Sequence, residues 1–121
     1  MLQQLAAFLG ATSAALPARA ALKGVFPADP ALPSVIDELI ENRDSAAVIG
    51  AVYLSRIEPA PSVEELLADI HRSLHEESLP VDRHGLLRRI EFDFERGAIV
   101  NLNGWLLSAT EARICACYAG L

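Results

Sequence analysis

The sequence predicts a mainly α protein: a small bundle of four to five helices with one short β-hairpin before the last helix. Three observations carry that prediction. Apolar residues recur at spacings of three and four in several windows, as one face of a helix requires. Two Ser-x-x-Glu capping boxes, Ser62/Glu65 and Ser108/Glu111, mark helix starts. Asn103-Gly104 lies between two short apolar runs, the pattern of a tight hairpin turn.

The elements follow in order. Residues 1–20 form an apolar segment that resembles a signal. Leu5 to Leu16 holds only Leu, Phe, Ala, Gly, Thr and Ser, and Ala18-Arg19-Ala20 places small residues where a signal peptidase reads. The alternative is a buried N-terminal helix with Leu2, Leu5 and Leu9 on one face. Residues 21–33, with Gly24, Pro27, Pro30 and Pro33, read as a linker, and 34–121 as a single helical domain. Ser34 is the expected cap of a helix from Val35 to Asn42. Asp44 is the expected cap of a second, from Ser45 to about Arg56. There Ala47, Val48, Ala51, Val52 and Leu54 face inward, and Gly50 permits close contact. The third starts at Ser62 and buries Leu66, Leu67, Ile70 and Leu74. Asp82 opens a fourth, which buries Leu86, Leu87, Ile90 and Phe94 and stops at Gly97. The hairpin and a last helix, from Ser108 to about Ala119, complete the chain.

Composition bounds the function without naming it. The chain has 121 residues, 52% hydrophobic and 21% charged, which suits one globular domain. Aromatics are 6%, so Ala, Leu, Ile and Val must build the core. Ten bases against sixteen acids leave a net charge of −6, which disfavours nucleic acid and anionic lipid as partners. No apolar run reaches the ~18 residues of a spanning helix.

The side chains that carry chemistry are few. His71 and His75 stand one turn apart and offer two ligands to a metal, with Glu76 or Glu77 nearby; a solvated helix edge accounts for them as well. Cys115 and Cys117 point about 200° apart on a helix, so they do not pair with each other. They are buried small hydrophobes or, in an oxidising compartment, a covalent tie to a partner chain. Arg88, Arg89 and Arg96 alternate with Glu91, Asp93 and Glu95, the pattern of a solvated face. No nucleophile–base set and no phosphate loop is identifiable, and no cofactor is expected. Trp105 and Leu106 after the turn, and Tyr118 near the end, are residue types that anchor interfaces, although Trp105 also suits the centre of the core.

The C-terminal third, Asp93-Phe94-Glu95-Arg96-Gly97 through Val100-Asn101-Leu102-Asn103-Gly104-Trp105-Leu106-Leu107-Ser108-x-Thr110-Glu111-Ala112-Arg113-Ile114-Cys115-Ala116, resembles the end of a group of small bacterial proteins exported by the twin-arginine route. The middle segment Ala46-Ala47-Val48-Ile49-Gly50-x-x-Tyr53-Leu54 is similar too. By size and leader, the group resembles the small subunits of periplasmic flavin-dependent dehydrogenases. The arginine pair is absent, and the expectation is that this chain begins at an internal Met just after it. The resemblance implies a non-catalytic accessory subunit, exported to the periplasm, that escorts or stabilises a larger oxidoreductase. Trp105, Leu106 and Tyr118 would make contact, and Cys115 or Cys117 the covalent tie. Two other expectations stand beside it: a metal-binding helical domain using His71 and His75, and a free-standing helical adaptor or homodimer.

Overall fold

A computed structural model describes residues 29–121. The signal-like segment 1–20, and the part of the expected linker up to residue 28, lie outside the described residues. Those residues form five helices and a two-stranded antiparallel hairpin placed before the last helix, so the protein is mainly α.

Helix α1 spans Ala31–Leu39 and begins earlier than expected. Asp29 starts it, since its Oδ1 accepts the Ala31 N–H at 2.9 Å and its carbonyl accepts the Leu32 N–H at 3.3 Å. Pro33 falls in the first turn and is buried there. A proline is tolerated at that place because the first four N–H groups lack intrahelical partners in any case. Ser34 is therefore inside the helix, and the linker ends sooner than position 33. Ile40 turns extended and ends α1, which frees Asn42 to cap α2 (Arg43–Leu54). Asn42 Oδ1 accepts the Ser45 N–H at 2.9 Å, whereas Asp44, the expected cap, lies in the first turn.

The inward face of α2 also differs. Ala46, Ala47, Ile49 and Gly50 are buried, while Val48 is half exposed at 50% and Ala51 is exposed. Gly50 decides this. A Cβ there would run into the Cys115 carbonyl, so the glycine marks the line along which α2 and the last helix touch.

Helix α3 (Val63–Glu76) closes its capping box as the sequence predicts. Ser62 Oγ accepts the Glu65 N–H at 3.1 Å and Glu65 Oε1 accepts the Ser62 N–H at 3.0 Å. Leu66, Leu67, Ile70 and Leu74 are buried. Helix α4 (Arg83–Arg96) starts at Asp82, whose Oδ1 accepts the Gly85 N–H at 2.8 Å, and ends at the left-handed Gly97. Leu86 and Ile90 are buried as expected. Leu87 is exposed at 38% and Phe94 is only half-buried, because the face of α4 that meets the bundle includes Asp93.

Strands β1 (Ile99–Leu102) and β2 (Trp105–Ser108) pair in register, Leu102 with Trp105 and Asn101 with Leu106. Helix α5 (Ala109–Ala119) follows at once and is the axis of the bundle. It packs most extensively on α2, and also on α3, α4 and the hairpin. Apart from Arg113, every residue from Thr110 to Tyr118 is buried. A helix with apolar or small residues on all sides belongs in the centre of a fold, and the order of elements in the chain does not prevent it.

Candidate interaction surface

The hairpin is built to hold its shape. Asn103 and Gly104 take positive φ, 54° and 96°, as a two-residue turn with matched twist requires. Asn101 Oδ1 accepts the Gly104 N–H at 2.8 Å. From the turn after α2, Arg56 reaches across the sequence and donates to the Asn101 carbonyl at 2.6 Å and to Asn103 Oδ1 at 2.9 Å. That contact also occupies part of the outer edge of β1, the kind of exposed edge proteins cover. One face of the hairpin points inward: Leu102 and Leu107 are each 2% exposed, and Val100 and Trp105 pack partly buried against the core. The other face points outward and carries Ile99 at 42% and Leu106 at 59% exposure. Trp105 thus has a core contact on one side and a half-open flank on the other.

Tyr118, Cys115 and Cys117 are not on this surface. All three are fully buried on α5, which corrects the expectation that they meet a partner. Tyr118 lies three residues from the end, and nearness to a terminus suggests exposure, but α5 is the central helix. Its phenol O–H donates to Asp37 Oδ1 on α1 at 2.6 Å, and Arg43 Nε stands 4.0 Å from the same oxygen. Burial, and then the Asp37 carboxylate, hold the Tyr118 phenol far above its usual range. The cysteines are free thiols. Burial pushes Cys117 up to about 12 and Cys115 higher still, so neither offers a thiolate for a covalent tie in the folded chain.

The histidines stay at the rim of α3. His71 Nε2 is 3.5 Å from Asp29 Oδ2, which ties the start of α1 to α3. Among the described residues no three His, Cys, Asp or Glu side chains converge as a metal site requires. A polar cleft of about 320 Å³ opens between α1 and α2, lined by Ser34, Asp37, Glu38 and Arg43.

Sequence reasoning missed a buried polar seam between α4 and α5. Asp93 is 1% exposed, where alternating charges suggested a solvated face, and the capping-box residue Glu111 is fully buried. Asp93 Oδ2 accepts the Thr110 N–H at 2.8 Å, and Arg89 Nη2 lies 3.2 Å from Oδ1 without the alignment of a hydrogen bond. Arg89 also donates to the Ser73 carbonyl at 3.3 Å and stands 3.5 Å from Glu77, which Arg96 holds from the outer side. The second capping box closes inside this seam: Ser108 Oγ accepts the Glu111 N–H and Glu111 Oε1 accepts the Ser108 N–H, both at 2.9 Å. Glu111 Oε2 has no hydrogen-bond partner among the described residues. Burial raises the Glu111 carboxyl above its usual range, the Ser108 bonds oppose this, and the Asp93 charge adds to it. The signal available in the sequence was Thr110-Glu111 placed after the cap, but its partner Asp93 lies seventeen positions away.

No family model, curated protein or solved structure matches this chain.

Proposed function

We propose that this chain is a non-catalytic accessory subunit that binds a larger periplasmic, flavin-dependent oxidoreductase through the outer face of the β1–β2 hairpin. The observation that carries the reading is Leu106. Within the hairpin and the start of α5, most of the neighbouring residues have work inside the fold. Asn103 and Gly104 make the turn, Trp105 and Leu107 pack on the core, and Ser108 and Glu111 close the cap. Leu106 instead presents more than half of its surface to solvent, on a strand whose backbone is fixed by its neighbours. A rigid support with an apolar tip loses little conformational entropy on docking, which is what an interface anchor needs. Ile99 stands diagonally across the same face, within reach of a shared partner surface. The net charge of −6 adds no affinity for nucleic acid and leaves a protein partner as the fitting class. In this reading the partner brings the cofactor, and this chain brings a folded surface that travels with it.

The test is co-purification of the full tagged chain from its native host. The expected companion is one larger protein that shows flavin absorbance, lost when Leu106→Glu is introduced while the circular dichroism stays unchanged. A chain that purifies alone, a companion without a redox cofactor, or a Leu106→Glu variant that keeps its companion would each overturn the proposal.

A further inference from the structure

We propose that the outer edge of β2 is a strand-addition site for a second copy of this chain, so that two hairpins join into one four-stranded sheet about a two-fold axis at Leu106. The argument starts from where the backbone groups of the hairpin go. Along an antiparallel pair, bonded and non-bonded residue pairs alternate. The Ala109 N–H donates to the Ala98 carbonyl at 2.9 Å, and the Asn101 carbonyl turns away from β2 to meet Arg56. With the register of the strands, this puts Val100/Leu107 and Leu102/Trp105 in the bonded set. The N–H and carbonyl groups of Ile99, Asn101, Leu106 and Ser108 therefore face outward. On β1, Arg56 takes the Asn101 carbonyl, and the Ile99 N–H donates to the Gly97 carbonyl at 2.9 Å. On β2, the Ser108 N–H goes to Glu111 Oε1, and Ser108 caps α5. Leu106 is different: among the described residues nothing meets its N–H or its carbonyl. It also has the most exposed of the large apolar side chains, at 59%.

Proteins blunt a free edge with a charge, a proline or a bulge. Trp105 to Ser108 contain no charged residue and no proline, and their pairing with β1 runs without a bulge. A residue that offers both a donor and an acceptor on one edge is complementary to itself. Across a two-fold axis, each Leu106 N–H donates to the Leu106 carbonyl of the copy, Trp105 lies opposite Leu107 of the copy, and the two Leu106 side chains stand about 5.5 Å apart at their Cα atoms on one face. Charge favours this meeting place. Each copy carries a net charge of −6, and β2 with its turn is an uncharged stretch, where two acidic chains touch without a like-charge contact. The contact is small against the about 1,200 Å² of a standard interface, so the dimer is reversible, half formed on the order of 100 μM. The edge is distinct from the outer face of the hairpin: pairing leaves that face open and sets the Leu106 and Ile99 of both copies side by side on it. The inference does not rest on the oxidoreductase reading, which is tested by co-purification and not by the mass of the isolated chain.

Sedimentation of the full chain from about 10 μM to about 1 mM tests the proposal. The expected result is a mass that doubles with concentration, and a dimer fraction that rises with salt as the repulsion between copies is screened. Leu106→Pro removes the outward N–H and no bond of the hairpin's own ladder, so it should stay monomeric with unchanged circular dichroism. Hydrogen exchange in the wild type gives a reading that needs no variant: exchange at the Leu106 amide should slow as concentration rises, while that at the Asn101 amide on the other edge stays constant. A chain that is monomeric at about 1 mM would overturn the proposal. So would a folded Leu106→Pro variant that still dimerises, or protection that grows with concentration elsewhere and not at Leu106. A monomeric chain whose Leu106 amide is protected only by an extended segment of another protein would overturn the assignment to a second copy.

Discussion

Helix α5 and the hairpin that precedes it are adjacent in the chain and opposite in role. The helix is enclosed by α2, α3 and α4, and its phenol and thiols face the interior. The hairpin is two strands thick and open on one side, where Leu106 and Ile99 meet water. The residue types would have suggested the reverse, since Tyr and Cys at a chain end look available and a Leu between Trp and Leu looks like core. What decides is the period of each element. A strand turns every second side chain outward, whatever it is, whereas a helix in the centre of a bundle has no outward side.

The largest effect expected from this contrast is a deep truncation in α5. Ile114→Ala removes a fully buried side chain from the axis of the bundle and should cost about 2–5 kcal/mol, read as a lowered denaturation midpoint. A loss under about 1 kcal/mol would mean that α5 is less central than described. Gly50→Ala comes next. Its methyl group would meet the Cys115 carbonyl, and the backbone must separate, at about 1–3 kcal/mol. Its neighbour Val48, on the exposed side of the same helix, should tolerate Ala within about 0.5 kcal/mol. Equal losses at positions 48 and 50 would break the assignment of the α2 face.

The two capping boxes sharpen the comparison, because their chemistry is the same and their surroundings differ. Ser62 is exposed, and Ser62→Ala should cost about 0.5–1 kcal/mol as an ordinary cap loss. Ser108 is fully buried, so Ser108→Ala also strands the Glu111 N–H away from water, for a total of about 2 kcal/mol. Thermal unfolding of both variants in one buffer reads the difference directly. Equal shifts would place the second box in contact with solvent.

These cases also show which features were legible from residues alone. Both boxes and the Asn103-Gly104 turn were, because each is closed by side chains and backbone within a few positions. The start of α1 was misplaced because a proline in the first turn looks like a linker residue until its neighbours are seen to be helical. The cap of α2 passed from Asp44 to Asn42 once Ile40 turned extended. Burial of Asp93 was hidden for a different reason: the amide it accepts from, Thr110, lies across the hairpin, and no local pattern reports a contact over that distance. Tyr118 was hidden in the same way, since its partner Asp37 is 81 positions away. Of the proposed interface, Trp105 and Leu106 were legible by type and place, whereas the rigidity that Arg56 gives the loop was not.

The smallest expected effect is the one that bears most on function. Leu106→Ala shortens an exposed side chain with no described contact in the core, so the denaturation midpoint should move by less than about 0.5 kcal/mol. Trp105, on the same strand with its indole against the core, should cost about 3 kcal/mol or more when cut to Ala. If Leu106 is inert to folding, its exposed surface is left for the contact proposed above. The pair is read by unfolding the two variants side by side. A Leu106→Ala variant as damaged as Trp105→Ala would show that the outer face of the hairpin serves the fold, and the docking surface would have to be sought elsewhere.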